Sequence, residues 1–444
     1  MLLPTRIVEF VETRFPAMSL QARVARGTFW TLVGSLTAQG TGLLGSILCA
    51  RILGSVGFGE LGMVRSTVLM FGVLAGTGLG LAATKYVAEF RTADPPKAGR
   101  MIGLLLNSAL LLGGVVTLVC LIGAAPLARW VLKAPHLSGA LQMGCFLLLL
   151  NTLNGVQLGA VCGFEAFRTQ SRVIILDGMF TLILMPAGAW VSGVTGAVGG
   201  LVLASLLGFV IKQKAMHQEC EQAVIPVSYR WISQEFPALW RFVLPAVLVG
   251  VSIQPFEWLS RLLLVRQPNG YAELGVFTAV YTWVQLIVFL PGQISAPTMP
   301  ILSNLLAGGK TARLKHFIFS SQVLVFSLAV LTALPLVLLS PYMLRAYGSE
   351  FIAGRASLLV MTAALVIGAA TMITRAFFAA SDRMWWQVGH TTAWGFFLIV
   401  GCVFFIRYGG LGLSFSYLIA YSWLAFIQFG TQALVLKKIS RKYA

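Results

Sequence analysis

Apolar residues run along this chain in long windows, separated by short clusters of glycine, proline and basic residues. The stretch Leu104–Ala125 carries no charge over roughly the 20 positions that a helix needs to cross a bilayer. Windows of this kind predict about twelve membrane helices. A first half holds 27–50, 61–84, 101–125, 138–162, 173–191 and 194–213. A second half holds 238–264, 274–301, 314–340, 356–379, 387–406 and 411–436. The polar stretch 214–237, with "HQECEQ", is the expected cytoplasmic linker between the halves, and 437–444 a basic cytoplasmic tail. Residues 1–26 mix Arg6, Arg14, Arg23 and Arg26 with Glu9 and Glu12 and read as a basic amphipathic lead-in at the membrane surface.

Composition turns this pattern into a class. Of 444 residues, 58% are hydrophobic and only 10% charged, against about a quarter charged in soluble domains. Lipid must be the solvent, and the chain is expected to be an all-α integral membrane protein. The net charge of +18 would suggest nucleic acid in a soluble protein. Here the basic residues sit in short loops and at the tail, so no nucleic-acid partner is expected. By side, about 22 of the 32 Lys and Arg fall on the face that holds both termini, and about 8 on the other. That bias places the N- and C-termini in the cytoplasm. Six cysteines lie singly and four histidines are scattered without ligand spacing. No metal, cofactor or catalytic thiol is expected.

The stretch "ARILGSVGFGELG", Ala50 to Gly62, interrupts the apolar run with four glycines, read as a tight turn with Arg51 and Glu60 at the outer interface. A near-copy returns later: "GFGELGMV" (Gly57–Val64) aligns with "GYAELGVF" (Gly270–Phe277). At nearly the same offset Arg168 falls opposite Arg383, and "PLAR" (Pro126–Arg129) near "PYMLR" (Pro341–Arg345). Six spans per repeat is an even number, so both halves enter from the same side. They are expected as parallel repeats about an axis along the membrane normal.

These residues resemble the polysaccharide transporter family, the O-antigen-type flippases of the MOP flippase superfamily. The likeness is carried by the Ala50–Gly62 motif, "GLGLAATKYVAEF" (Gly78–Phe90), "ELGVFTAVYTWVQLIVFLPGQISAPTMPILS" (Glu273–Ser303) and "LLSPYMLRAYGSEF" (Leu338–Phe351). The resemblance implies two six-helix bundles around a central cavity in a bacterial inner membrane. It implies a polyprenyl-pyrophosphate-linked oligosaccharide as substrate, moved by alternating access, with membrane lipids, a glycan polymerase and other assembly proteins as partners. Proton or sodium coupling is left open. A cation-coupled exporter of small amphiphiles on the same fold is the alternative, for which Asp177 is the internal acid. A membrane-embedded glycan polymerase or acyltransferase is disfavoured because every outer loop is short.

Charges inside spans usually face a cavity or a partner. Arg65 lies in the second span, Glu257 and Arg261 share one face of the seventh, Asp177 opens the fifth and Arg375 sits in the tenth. Arginine offers a fork of donors suited to phosphate oxygens, so Arg65 and Arg261 are candidates for a pyrophosphate, expected in one cavity between the halves. Glu257, Asp177 and Arg375 are candidate charge partners or coupling groups. If the resemblance holds, Gln39, Gln254, Tyr281, Trp283, Gln285 and Gln293 line the cavity and meet sugar, with Gln39 and Gln254 as a symmetric pair. Pro245 and Pro255 in the seventh span, and Gly40 and Gly42 in the first, are candidate hinges. A reporter fused after Ala444 is expected to be active only in the cytoplasm and one near Lys133 only outside; activity of the first outside would overturn the orientation.

Overall fold

The computed structural model describes residues 20–76, 78–229, 250–295, 298–308, 311–381 and 383–443. Most of the expected lead-in and the hinge candidate Pro245 lie outside the described residues. The fold is all-helical. In the first half run α1 (Leu20–Gly72), α2 (Gly78–Phe90), α3 (Pro95–Pro126), α4 (Ser138–Gly163) and α5 (Phe167–Gln222). The second half holds α6 (Gln254–Val265), α7 (Gly270–Ser295), α8 (Thr298–Ala307), α9 (Thr311–Tyr347), α10 (Arg355–Ala370), α11 (Met372–Ala380), α12 (Met384–Phe405) and α13 (Gly409–Tyr443). Local chemistry sets several starts. Asp94 caps α3 by accepting from the Lys97 amide at 3.0 Å, with proline in the first turn.

Among the described residues, eight helical segments are long and apolar enough to cross a membrane. The twelve expected windows do not form twelve separate helices, because helical bonding continues through several turns. Within α5 only Ser192 and Gly193 leave helical geometry. Its two arms fold back on each other: a Cβ added at Gly188 would meet the Gly196 carbonyl, and one at Gly200 the Leu184 carbonyl. α12 and α13 form a similar hairpin, with Gly401 against Ser416 and Gly412 against Phe405. The expected linker also starts later than Lys214, since α5 continues to Gln222.

The glycine-rich motif departs from expectation in an informative way. Of Ala50–Gly62 only Gly54 breaks the helix, at φ 68 and ψ −179. Gly59 and Gly62 lie in helix and serve a close crossing. A Cβ on Gly59 would sit 1.9 Å from the Tyr271 carbonyl oxygen, and one on Gly275 would sit 1.9 Å from that of Ser55. Glycine is used where two helix backbones touch. The motif and its near-copy therefore pack against each other.

Gly54, Lys133, Gly193, Asn269, Gly348 and Gly409 adopt positive φ at the turns that close one end of the molecule. They pair as Gly54 with Asn269, Lys133 with Gly348 and Gly193 with Gly409, each about 215 positions apart. At this turn end a single apolar core joins both halves, with Phe58, Leu132 and Leu137 packed with Phe277, Tyr347 and Phe351. Toward the other end the halves have separate cores. One gathers Leu79, Met101, Val161 and Met216; the other gathers Leu302, Leu314, Phe377 and Val435. The halves are thus fused at one end and independent at the other.

Gly59→Ala forces side-chain atoms into the Tyr271 backbone and is expected to cost about 1–3 kcal/mol of stability. Gly40→Ala, with no atom within 4 Å of the new Cβ, is expected to leave stability unchanged or slightly raised. Thermal unfolding of the purified full chain checks both; equal effects would refute the crossing.

Candidate functional site: a sealed seam and a polar cavity

The seam at the turn end is built from reciprocal contacts. Arg51, just before the Gly54 break, donates from Nε to the Ala346 carbonyl at 2.6 Å. Arg266, after α6, donates to the Val131 carbonyl at 3.0 Å and 3.2 Å. Donor and acceptor in the second pair each stand one repeat length from those in the first, and the roles of the halves are exchanged. That is the pattern a two-fold interface requires. The aromatic contacts follow the same rule: Phe58 packs edge-on to Tyr347 at 5.9 Å, and the Tyr271 hydroxyl donates to the Leu132 carbonyl at 3.1 Å. Ser46 and Tyr347 share a hydrogen bond of 3.1 Å, and Glu350 accepts from the Ser55 amide and hydroxyl at 2.7 and 2.8 Å. His136 meets Glu60 at 2.6 Å. Farther from the turns, the Trp258 indole donates to Thr67 at 3.0 Å.

Beside the seam the first half encloses a cavity of about 340 Å³. Arg65 reaches it from the second arm of α1, Asn151 and Asn154 from α4, and Asp177, Ser205 and Lys212 from α5. The Arg65 side chain is exposed to this space and has no carboxylate partner among the described residues. Asp177 is paired with Lys212 Nζ at 3.1 Å. Asn154 donates to the Ser205 carbonyl and hydroxyl, each at 3.1 Å. The wall therefore offers neutral donors and acceptors around one uncompensated guanidinium.

Arg261 does not line this cavity, contrary to the expectation of one cavity shared with Arg65. It belongs to the facing half, held by Glu257 at 3.2 Å and lying 5.4 Å from the centre of the Tyr281 ring. Both members of the ion pair are nearly buried, at 12% and 13% exposure. Arg375, in α11, is half-buried and lies within electrostatic reach of Tyr421, with no ion pair among the described residues.

The remaining candidates are spread more widely. Gln39 is exposed on α1 and Gln254 half-buried at the start of α6, with no contact joining them. Gln285 and Gln293 are half-buried on α7 and make no hydrogen bond among the described residues. Tyr281 and Trp283 pack against the shared core, and the Trp283 indole N–H has no acceptor. Pro255 stands in the first turn of α6, after a break at Ser252–Ile253, so it starts a helix instead of kinking one. Gly40 and Gly42 sit in unbroken α1, facing open space.

Sequence reasoning missed Lys212, which is 6% exposed inside α5. Asn151, Asn154 and Ser205 gave no signal, since polar residues in apolar helices also serve packing. Arg51 and Arg266 did carry one: they stand in register under the repeat.

Residues 24–306 match the family model described as "Polysaccharide biosynthesis protein". That is more than half of the chain, and the protein belongs to this family. It is 26% identical over 288 residues to the "Lipid III flippase" of Escherichia coli (strain K12), covering 64% of this chain and 68% of that protein. It is 21% identical over 398 residues to an "EPS I polysaccharide export inner membrane protein" of Ralstonia nicotianae, covering 87% and 89%. Among solved structures, it shares its fold with the inward-facing conformation of a multidrug resistance MATE family transporter of the MOP superfamily. The TM-score is 0.80 at 16% identity, over 93% of this chain and 100% of that one. The outward-facing conformation of such a transporter matches at 0.70 and 16%, over 95% and 96%. The chain is accordingly a multi-pass membrane protein that shares the fold of these transporters.

In a variant without native cysteines, Arg65→Cys and Asn151→Cys are expected to react with a charged thiol reagent at least about tenfold faster than Ser260→Cys, which is fully buried. Equal protection of all three, measured by labelling and mass spectrometry, would refute a water-accessible cavity.

Proposed function

We propose that this protein is a flippase that carries a polyprenyl-pyrophosphate-linked oligosaccharide across the inner membrane by alternating access. The observation that carries the reading is Arg65, without a carboxylate partner among the described residues, in a polar cavity beside two halves that share a core at one end only. An unpaired arginine at mid-membrane costs about 2.5–3.5 kcal/mol on insertion scales, so an anionic ligand is its natural counterpart. A diphosphate offers that charge, and the fork of arginine fits its oxygens. Arg261, one residue face away on the second half, is the second candidate contact, released from Glu257 when the anion arrives. Asn151, Asn154, Ser205, Gln285 and Gln293 supply the neutral hydrogen-bonding groups that a glycan needs.

Twelve crossings in two six-helix bundles complete the reading, with the segments bent at Gly54, Gly193 and Gly409 counted as two crossings each and α6 as one more. The hairpin in α5 and the matched positive-φ turns support it. The sealed turn end is then the periplasmic one, and both termini are cytoplasmic. The greater likeness to the inward-facing transporter supports this sense. The two named relatives, a lipid III flippase and a polysaccharide export protein, support the substrate class. The cation-coupled exporter is disfavoured by geometry, because the acid it would use, Asp177, is already bound to Lys212.

Replacing Arg65 or Arg261 with Ala is expected to reduce glycan export at least about tenfold while the protein inserts at normal levels, with Lys rescuing only part. Glu257→Gln should be milder, since the arginine keeps its charge. Surface glycan in cells lacking the native gene reads the result. Normal export by a correctly inserted Arg65→Ala, Arg261→Ala double variant would refute the site.

A further inference from the structure

The acidic group of the first-half cavity already holds a cation, and that cation belongs to the chain. Lys212 Nζ lies 3.1 Å from Asp177 Oδ1, with Lys212 only 6% and Asp177 37% exposed. The site is built for the pair. Gly208, one turn before Lys212 on the same arm of α5, leaves the space: a Cβ there would lie 2.1 Å from Asp177 Oδ1 and 3.0 Å from Lys212 Nζ. Oxygen donors of the kind that hard cations take share the cavity with it. Asn151, Asn154, Thr181 and Ser205 line the same cavity. Asn154 is 7% exposed, and its carbonyl oxygen Oδ1 is buried without a hydrogen-bond donor. A carboxylate, an unsatisfied carboxamide oxygen and hydroxyls would together make a binding site for an alkali cation if the ammonium were gone.

We propose that Lys212 is a tethered substitute for a mobile cation and sets the charge preference of this cavity. Its ammonium cancels Asp177, so no free alkali ion binds there and the charge of Arg65 stays uncompensated for an anion. Removing the ammonium leaves the Asp177 carboxylate without its counter-charge in a cavity that carries further oxygen donors, and such a site takes up a cation. A single substitution would then convert the cavity from one that excludes sodium to one that binds it. Any coupling of transport to sodium must use groups outside this cavity.

The test is calorimetric titration of NaCl into the full chain in neutral-lipid nanodiscs. A mildly alkaline buffer and choline chloride hold proton competition and ionic strength down. Wild type is expected to give no saturable sodium binding. Lys212→Met, which keeps the apolar stem, is expected to bind sodium at least about tenfold more tightly than wild type. Adding Asp177→Asn should abolish that gain. Saturable sodium binding by wild type that disappears in Asp177→Asn overturns the proposal, and that arm needs no Lys212 variant. A folded Lys212→Met with no gain in sodium affinity also overturns it, and Lys212→Gln replaces it if the methionine variant does not fold. Neither arm measures glycan export, so failure here leaves the flippase reading standing, and failure of that reading leaves this one testable.

Discussion

Two helix backbones touch where Gly59 of α1 meets Tyr271 and Gly275 of α7, and the rest of the architecture is arranged around that crossing. Without a Cβ at either glycine the helices approach closely enough for one apolar core to serve both halves. On each side of the crossing one arginine reaches a carbonyl of the opposite half: Arg51 to Ala346, and Arg266 to Val131. These bonds are few and exposed, so each contributes little. A seam made of close packing plus weak, repeated bonds is stable as a unit and separable without breaking either half's own core. Alternating access needs that combination.

The class of the protein was legible from charge-free windows alone, and the duplication from one eight-residue motif and its offset. What the windows concealed was the use of the glycines. A string such as Gly57–Gly62 signals a turn when read locally, because glycine tolerates positive φ. Only Gly54 uses that freedom, while Gly59 is small because the Tyr271 backbone lies against it and Gly62 because the Thr278 side chain does. Local sequence carries no information about a contact more than two hundred positions away; the near-copy at Gly270 hinted at it only as a repeat. Lys212 was misjudged for a related reason. At the end of an apolar window a lysine looks like a loop cation, and its burial depends on Asp177 one helix arm away.

Charge explains why the cavity suits an anion. Asp177 and Lys212 neutralise each other, Glu257 and Arg261 do the same on the facing half, and Arg65 is left over. In the proposed reading a diphosphate would draw both guanidinium groups toward itself. A ligand shifts a two-state equilibrium only by its differential affinity for the two states. In the proposed reading, a group that bridges Arg65 on one half and Arg261 on the other would supply such a difference, because rocking the halves would change their separation.

Under the proposed alternating access, separation at the seam is the step on which transport would depend. The direct measurement is a reversible disulfide across it, with Ser55→Cys and Glu350→Cys replacing the hydrogen-bonded pair in a variant lacking the native cysteines. Purified protein in liposomes is assayed for flipping of a fluorescent polyprenyl-diphosphate glycan, first oxidised and then reduced. If the seam must open, oxidation stops flipping and reduction restores it to the level of the uncrosslinked control. Undiminished flipping by fully crosslinked protein would show that the halves need not part there, and the seam would then be only a structural joint.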